Sequence, residues 1–500
     1  MKSPSSHPIL TCDEARACEE KLFGGDEASE WSAMQAAGRA VAAAVLEDFQ
    51  EIGGFPPAGR VLVLAGKGHN GGDALLAAHA ILEKFPAARV EVVFAFGERA
   101  LRPLAARAWR ELAQAAGGRV SVEPAAGDCD LVLDGVFGFQ FRPPFEAARA
   151  ALLARVNALP VRLRAAVDLP SGLGEPDAFR ADFTYATGIV KQPLLGLANA
   201  GRVRYLDLGF FDHEPFAGPA TDGVLTDAVL APLRALRGAQ TDKLSFGHLF
   251  VVAGSGDYPG AALMSVLAAL RSGAGLVTAF VPESLVAAYA ARAPEAMWVG
   301  CPITERGGLA LEGLHRVRER LARATALLIG PGIGREPETL ALVAEILKLG
   351  TLPAVLDADA LQPELVRAGK SARVLTPHTG EFARISGGKA LHEFAAETGA
   401  TIVRKGPVTA ICAGGEVRHS FHGGPVLARG GSGDVLAGLI GGLLAQTPED
   451  LLGAASRGVV WHGRAADLLA RARGQTAVTV TELLDFLPAV LRAQTGGFDA

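Results

Sequence analysis

Short apolar runs that break into glycine- or acid-rich turns constrain this chain more than any other feature. Val61-Leu62-Val63-Leu64-Ala65 opens into Gly66-Lys67-Gly68-His69-Asn70-Gly71-Gly72-Asp73, and Ala74 to Lys84 follows with helical character. A strand that is apolar on both faces must be covered on both faces, which marks a central parallel strand. Arg89 to Phe96, Leu131-Val132-Leu133-Asp134 and Ala165-Ala166-Val167-Asp168 continue the pattern, and the last two end in Asp. In open α/β sheets the carboxyl ends of strands are where ligands bind. Strand–helix alternation at this spacing predicts a doubly wound sheet over residues 1–220. Thr11 to Gln50, upstream, reads as helical, with Asp13, Glu14, Arg16, Glu19 and Glu20 on a polar face.

Phe211 to Ala220 carries Pro215 and Pro219 and, with Asp222-Gly223, reads as a linker. A second α/β pattern then starts. Leu249 to Ala253 leads into Gly254-Ser255-Gly256-Asp257-Tyr258-Pro259-Gly260 and a helix from Ala261 to Ser272. Leu276 to Val281 is the next strand. Ala326 to Ile329 enters Gly330-Pro331-Gly332-Ile333-Gly334-Arg335, and Ala354 to Leu356 enters Asp357-Ala358-Asp359-Ala360-Leu361. Arg373 to Leu375 enters Thr376-Pro377-His378-Thr379-Gly380-Glu381, and Ala400 to Val403 enters Arg404-Lys405-Gly406. Each turn alone is ordinary turn chemistry; together they predict one site along one sheet edge.

Gly430-Gly431-Ser432-Gly433-Asp434 runs into the apolar stretch Val435 to Ile440, a tight loop feeding a buried helix. Backbone N–H groups at such a junction lack intrahelical partners, and glycines let them close around an anion such as phosphate. A carboxylate there repels phosphate, so Asp434 reads as a base or metal partner, or else as a first-turn residue complementing the helix dipole.

A length of 500 residues allows two or three domains. A net charge of -5, with one fifth of the residues charged, gives no electrostatic case for nucleic acid or an anionic membrane as partner. No charge-free apolar run reaches the roughly 18 residues of a membrane helix, and the first residues lack a secretory apolar segment. Cys12, Cys18, Cys129, Cys301 and Cys412 are scattered without a C-x-x-C pair, which predicts a reduced, cytoplasmic enzyme. Gly66-Lys67-Gly68-His69-Asn70-Gly71 also matches G-x-G-x-x-G, with Glu91 as a ribose ligand for a dinucleotide oxidoreductase. That match is short in a chain with 61 glycines, and Asn70 and Asp73 are polar intrusions that a phosphate loop does not need.

The order of motifs carries a resemblance over the whole chain. Lys405-Gly406-Pro407-Val408-Thr409 followed by the Gly430–Asp434 loop resembles the ribokinase-like superfamily. With Lys243 to Gly247, Gly254 to Gly260, Ala269 to Val277, Gly330 to Arg335, Asp357 to Leu361 and Thr376 to Glu381, it is similar to the nucleotide-dependent NAD(P)H-hydrate dehydratases. Asn70-Gly71-Gly72-Asp73, Asp134 and Asp168-Leu169-Pro170-Ser171-Gly172-Leu173 resemble the NAD(P)H-hydrate epimerases, and the fusion resembles the bifunctional repair enzymes of bacteria.

The resemblance implies a Rossmann-like three-layer αβα domain over residues 1–222 and a ribokinase-like αβα domain over residues 223–500. Its substrates are NADH and NADPH carrying water at the nicotinamide C6, as R and S epimers. The epimerase interconverts them, and the dehydratase phosphorylates the S hydroxyl with ADP or ATP so that phosphate leaves. Asp434 is implied as the base for that hydroxyl. Lys405, Gly406, Pro407, Val408, Thr409 and Gly433 are implied as nucleotide contacts, and Ala261, Gly332, His378 and Asp434 as hydrate contacts. His378 also reads as a local hydrogen bond closing the Pro377 turn. The phosphates imply Mg2+.

In the first half the resemblance implies Asn70, Asp134 and Ser171 as ligands of a monovalent cation, K+. It implies Asp168 as substrate contact or proton handler, and Asn70, Gly71, Gly72 and Asp73 as pocket. A homo-oligomer is the expected assembly. His69, Ala74, Ser32-Ala33-Met34-Gln35, Gly138-Phe139-Gln140 and, in the second half, Thr379 depart from the family pattern. The rival readings are a small-alcohol kinase, which would release a stable phosphate ester, and a non-catalytic N-terminal binding module.

Overall fold

The computed structural model describes residues 5–122, 127–138, 146–212 and 221–492. Phe139, Gln140, Pro215 and Pro219 lie outside them. Two compact units emerge, the first made of residues up to 220 with 470–475, the second of 221–469 with 476–494.

In the first unit a parallel sheet runs in the order Val120–Ser121, Arg89–Phe94, Arg60–Ala65, Cys129–Gly135, Val161–Val167, Phe183–Thr187, Arg202–Leu206. Alternate residues of the 60–65 strand serve opposite cores. Val61 and Val63 pack with the helices Glu27–Phe49, His69–Lys84 and Pro103–Ala116. Leu62 and Leu64 pack with Leu153 and Val156 of the helix Ala147–Asn157. Burial on both faces explains the unbroken apolar run and gives the three αβα layers. The chain builds outward from 60–65 in one direction and resumes at 129–135 on its other side. The switch point therefore lies between the loops after Ala65 and after Asp134.

Thr11 to Gln50 is helical as expected, in two helices. Cys12–Phe23 ends on Gly24 in the left-handed region, and Glu27–Phe49 starts from Asp26, whose carboxylate accepts from the Ser29 amide at 3.1 Å.

The second unit has the strand order Met297–Cys301, Leu276–Pro282, His248–Val252, Ala326–Ile329, Ala354–Leu356, Arg373–Leu375, Thr401–Arg404, Thr409–Ala413, Glu416–Ser420, Asp222–Leu225. Pairing is parallel as far as Thr401–Arg404, and the hairpin 409–420 then adds antiparallel strands. Asp222-Gly223, expected as linker, opens a strand that pairs with Val417 and Arg418. One face carries the helices Pro259–Arg271 and Ser432–Gln446 at close approach: a Cβ on Gly438 would lie 2.2 Å from the Ser265 carbonyl. The other carries Pro337–Lys348, Thr379–Ser386 and Leu391–Thr398. The switch point is between 248–252 and 326–329, at the Gly254 and Gly330 turns.

Candidate active sites

The first unit encloses a cavity of about 790 Å3 at its switch point, with Asn70, Asp73, Gly138, Asp168 and Lys191 in the lining. Asp168 follows the last residue of its strand with φ 65°, a left-handed backbone that a non-glycine residue adopts at a cost. Its Oδ1 accepts from Lys191 Nζ at 2.5 Å, and that lysine is only 1% exposed. Asp73, on the first turns of the helix 69–84, is buried with Oδ1 lacking a hydrogen-bond partner. Burial first, then Asp168 and Glu19, push its carboxyl well above the usual range.

Beneath the cavity Asn70, Asp134 and Ser171 converge. Asp134, fully buried, accepts from the Ser171 amide at 2.7 Å, from Ser171 Oγ at 2.7 Å and from the Val136 amide at 3.2 Å. Burial pushes its carboxyl up to about 6 against those hydrogen bonds. Asn70 Nδ2 donates to the Phe137 carbonyl at 2.9 Å, while Asn70 Oδ1 is buried without a hydrogen-bond partner. These oxygen donors, one orphaned and one an anion, fit a hard monovalent cation.

Gly71 and Gly72 are not in the cavity lining. A Cβ on Gly71 would sit 2.2 Å from the Gly66 carbonyl and one on Gly72 2.2 Å from Met34 Cε, so both seat the helix. Glu91 is ion-paired with Arg60 at 2.6 Å, which occupies the ribose ligand that the oxidoreductase reading requires.

In the second unit Gly431, with φ 95°, caps the helix Ser432–Gln446, and Asp434 sits in its first turn. Ser265 Oγ donates to the Asp434 carbonyl at 3.1 Å, tying the loop to the helix 259–271. Lys405 Nζ lies 2.9 Å from Asp357 Oδ1, which also accepts from Thr376 Oγ1 at 2.7 Å. A Cβ on Gly433 would lie 3.2 Å from Lys405 Nζ and 3.8 Å from Asp357 Oδ2, so loop, lysine and carboxylate face one another. Burial works against the Lys405 ammonium, but Asp357 and Glu381 lift it above its ordinary value. Asp434 is pushed up to about 7 by burial and by Asp357, with Lys405 opposing. Such a carboxyl is close to the balance that a general base near neutrality needs.

His378 pairs with Lys405 in an isolated β-bridge. Its Nδ1 accepts from the Gly380 and Glu381 amides at 3.0 and 3.4 Å, so the local turn-closing bond is present. Gly332 and Ala261 touch: a Cβ on Gly332, at φ 63°, would meet the Ala261 Cβ at 2.7 Å. Gly406 and Pro407 are exposed on the turn before the strand 409–413, with Val408 and Thr409 half-buried. Residues to which the sequence assigned no individual role also contribute. Thr376 and Asp357 hold Lys405, and His462 is buried behind the loop, its ring pushed down to about 4 by burial and then by Lys405. Lys191 and Glu19 belong to the first cavity.

A family model described as NAD(P)H-hydrate dehydratase matches residues 249–489, and one described as YjeF-related protein N-terminus matches residues 31–193. The bifunctional NAD(P)H-hydrate repair enzyme Nnr of Gloeobacter violaceus is 39% identical over 496 residues, covering 92% of this chain and 93% of that protein. The enzyme of the same name from Moorella thermoacetica is 36% identical, covering 87% of each. The chain belongs to the bifunctional NAD(P)H-hydrate repair enzymes. As a member it is an enzyme of NAD(P)H-hydrate repair, with a dehydratase and an epimerase activity, and the kinase with a binding module is not favoured. A solved ADP/ATP-dependent NAD(P)H-hydrate dehydratase from Bacillus subtilis, co-crystallized with ATP/Mg2+, is 31% identical. It covers 53% of this repair enzyme and 96% of its own chain, at a TM-score of 0.47. No described helix is long and apolar enough to cross a membrane.

Proposed function

We propose that the two activities occupy the two sites separately. Epimerisation is assigned to the first unit and dehydration to the second, which takes in the strand Asp222–Leu225. The observation that carries the dehydratase assignment is the placement of Asp434. It stands in the first turn behind a glycine loop that faces the Lys405–Asp357 pair. ADP or ATP would lay its terminal phosphate on the Gly431–Gly433 amides, with Lys405 to Thr409 as further contacts. Asp434 would take the proton of the C6 hydroxyl of the S hydrate as that oxygen attacks phosphorus, and phosphate then leaves C6 as a proton leaves C5, with formation of NAD(P)H. Ala261, Gly332 and His378 would hold the hydrate.

Mg2+ would enter with the nucleotide and neutralise phosphate charge. Asp357, which turns Oδ2 toward Gly433, would help to hold it. In the first unit K+ would be held by Asn70, Asp134, Ser171 and the Phe137 carbonyl, supplying positive charge at the pocket floor. Asp168 would handle the proton, and Asp73 would contact the hydrate. The protein is read as a cytoplasmic homo-oligomer. Hydrated NADH, Mg2+ and each nucleotide are incubated with the protein while absorbance of reduced nicotinamide is followed. Recovery of NADH with inorganic phosphate supports the reading, and a stable phosphate ester sinks it.

A further inference from the structure

Inverting a carbon that carries both a hydroxyl and a ring nitrogen is two-sided chemistry. Water must leave one face of C6 and return on the other, so a proton is delivered on one side and removed on the other. Asp168 supplies one such group. The cavity contains a second on an element that precedes the family match at residues 31–193, namely the helix Cys12–Phe23.

That helix is fixed at both ends. Thr11 and Glu14 form a capping box, with the Glu14 amide donating to Thr11 Oγ1 at 3.2 Å, and Gly24 closes the other end in the left-handed region. It is also fixed sideways, because Ala15 and Cys18 pack in one cluster with Ile189. Ile189 leads into the strand Val190–Lys191, and Leu10, at the entry to the helix, pairs in register with Lys191. The packing therefore brings Glu19 to the same cavity as Lys191, Asp168 and Asp73.

We propose that Glu19 is the second catalytic group of the epimerase pocket, the acid opposite Asp168, and that Lys191 is the positioning residue that holds the Asp168 carboxylate. The inference rests on reading this pocket as the epimerase site. The Glu19 carboxyl gives its proton to the C6 hydroxyl. The ring nitrogen's lone pair forms a C=N bond to C6, and the C6–O bond breaks with its electrons going to oxygen, which leaves as water. A second water bonds to C6 from the opposite face as the C=N pair returns to nitrogen, and Asp168 takes its proton. One C–O bond is broken and one formed, nothing is oxidised, and a proton exchanged with solvent returns both groups to their starting state.

Electrostatics agree with this division of roles. Glu19 faces Lys191 and Asp168 from the sheet and Asp73 from the helix 69–84, with Arg16 and Glu20 on its own helix. Burial pushes its carboxyl up to about 7, with Lys191 opposing and Asp168 adding. It therefore holds a proton to give at neutral pH. Lys191, buried at 2.5 Å from Asp168, fixes a side chain whose backbone is already constrained at φ 65°.

The test follows conversion of the R to the S hydrate of NADH by the full chain, with potassium and no nucleotide, by chromatography of the two epimers. Glu19→Gln is expected to lower kcat by about a hundredfold or more with little change in KM. It should also remove the fall in wild-type rate as pH rises through about 7. Glu19→Asp keeps an acid and recovers part of the rate. Lys191→Met lowers kcat, and Lys191→Arg restores most of it. Glu19→Gln at wild-type rate, or Glu19→Asp as slow as Glu19→Gln, overturns the assignment of Glu19. If the wild-type chain itself does not exceed the spontaneous rate, the epimerase reading of the pocket fails and takes this inference with it.

Discussion

In the first unit the carboxylate proposed to handle the proton, Asp168, is paired at 2.5 Å with a lysine that is itself buried. In the second unit Asp434 stands near Lys405, whose ammonium is engaged by Asp357 at 2.9 Å, and its carboxyl is pushed up to about 7 by burial and by Asp357. One site has its counter-ion built in. The other leaves its carboxylate short of positive charge, which a nucleotide arriving with Mg2+ would supply. On the proposed assignment, two neighbouring steps of repair would use the same residue type under opposite electrostatic conditions.

The largest effect should come from Asp434→Asn. Dehydration of the S hydrate should fall by roughly 10²–10⁴-fold, the usual loss when a general base is removed. Epimerisation by the same protein should persist. A variant keeping more than about a tenth of wild-type turnover would return Asp434 to helix capping.

Asp134→Ala should abolish epimerisation and its response to potassium while leaving dehydration untouched. Asp134 is buried and anchored by Ser171, so circular dichroism must show a folded chain. An active, potassium-responsive variant places the cation elsewhere.

Gly433→Val should weaken nucleotide binding by about tenfold or more, since a β-branched side chain would meet Lys405 and block phosphate approach. Calorimetry showing unchanged affinity in the folded protein would move the phosphates away from this loop.

The pH profiles should differ in sign. A base pushed up to about 7 is ionised above that value, so dehydration kcat/KM should fall as pH drops below about 7. Glu19, raised to about 7, is an acid that loses its proton above that value, so epimerisation should fall as pH rises. Matching limbs in the two activities would remove the contrast.

The smallest effect concerns stability. A carboxyl whose folded pKa lies above its unfolded value costs the fold stability between the two values, so the cost builds as pH rises from about 4 to about 7 and is constant beyond. Asp434→Asn should therefore melt a few degrees higher than wild type at pH about 8, with a smaller gain at pH about 5 and none at pH about 3. A lower melting point at pH about 8 would make Asp434 a structural residue.

How much of this was legible in the sequence differs between the sites for a physical reason. The site proposed for dehydration is built from loops whose own residues would carry the chemistry. Glycines that let backbone reach an anion stand next to Asp434, and Lys405 opens its own turn, so contiguous motifs report it. In the first unit the Asp134 and Ser171 contacts were readable as polar strand ends. Lys191 and Glu19 were not: each sits on a short or amphipathic element with no motif, and only tertiary packing through Ile189 and Ala15 brings them to Asp168. The stretch Thr11 to Gln50 was legible as helical but the position of its break was not, since it is set by the left-handed cap at Gly24 and by Asp26. The strand Asp222–Leu225 was hidden by Asp222-Gly223, a turn-like pair that is held in the sheet by Val417 and Arg418.

The central claim, two separate sites each dependent on its own carboxylate, is tested by mixing two variants. Asp168→Asn and Asp434→Asn are each supplied with R hydrate, potassium, Mg2+ and ATP, first alone and then together, while NADH is followed by absorbance. Alone, Asp434→Asn should yield almost no NADH and Asp168→Asn only as much as spontaneous epimerisation allows. Together they should restore conversion well above either, because each supplies the site the other lacks. A mixture no faster than Asp168→Asn alone would contradict the account.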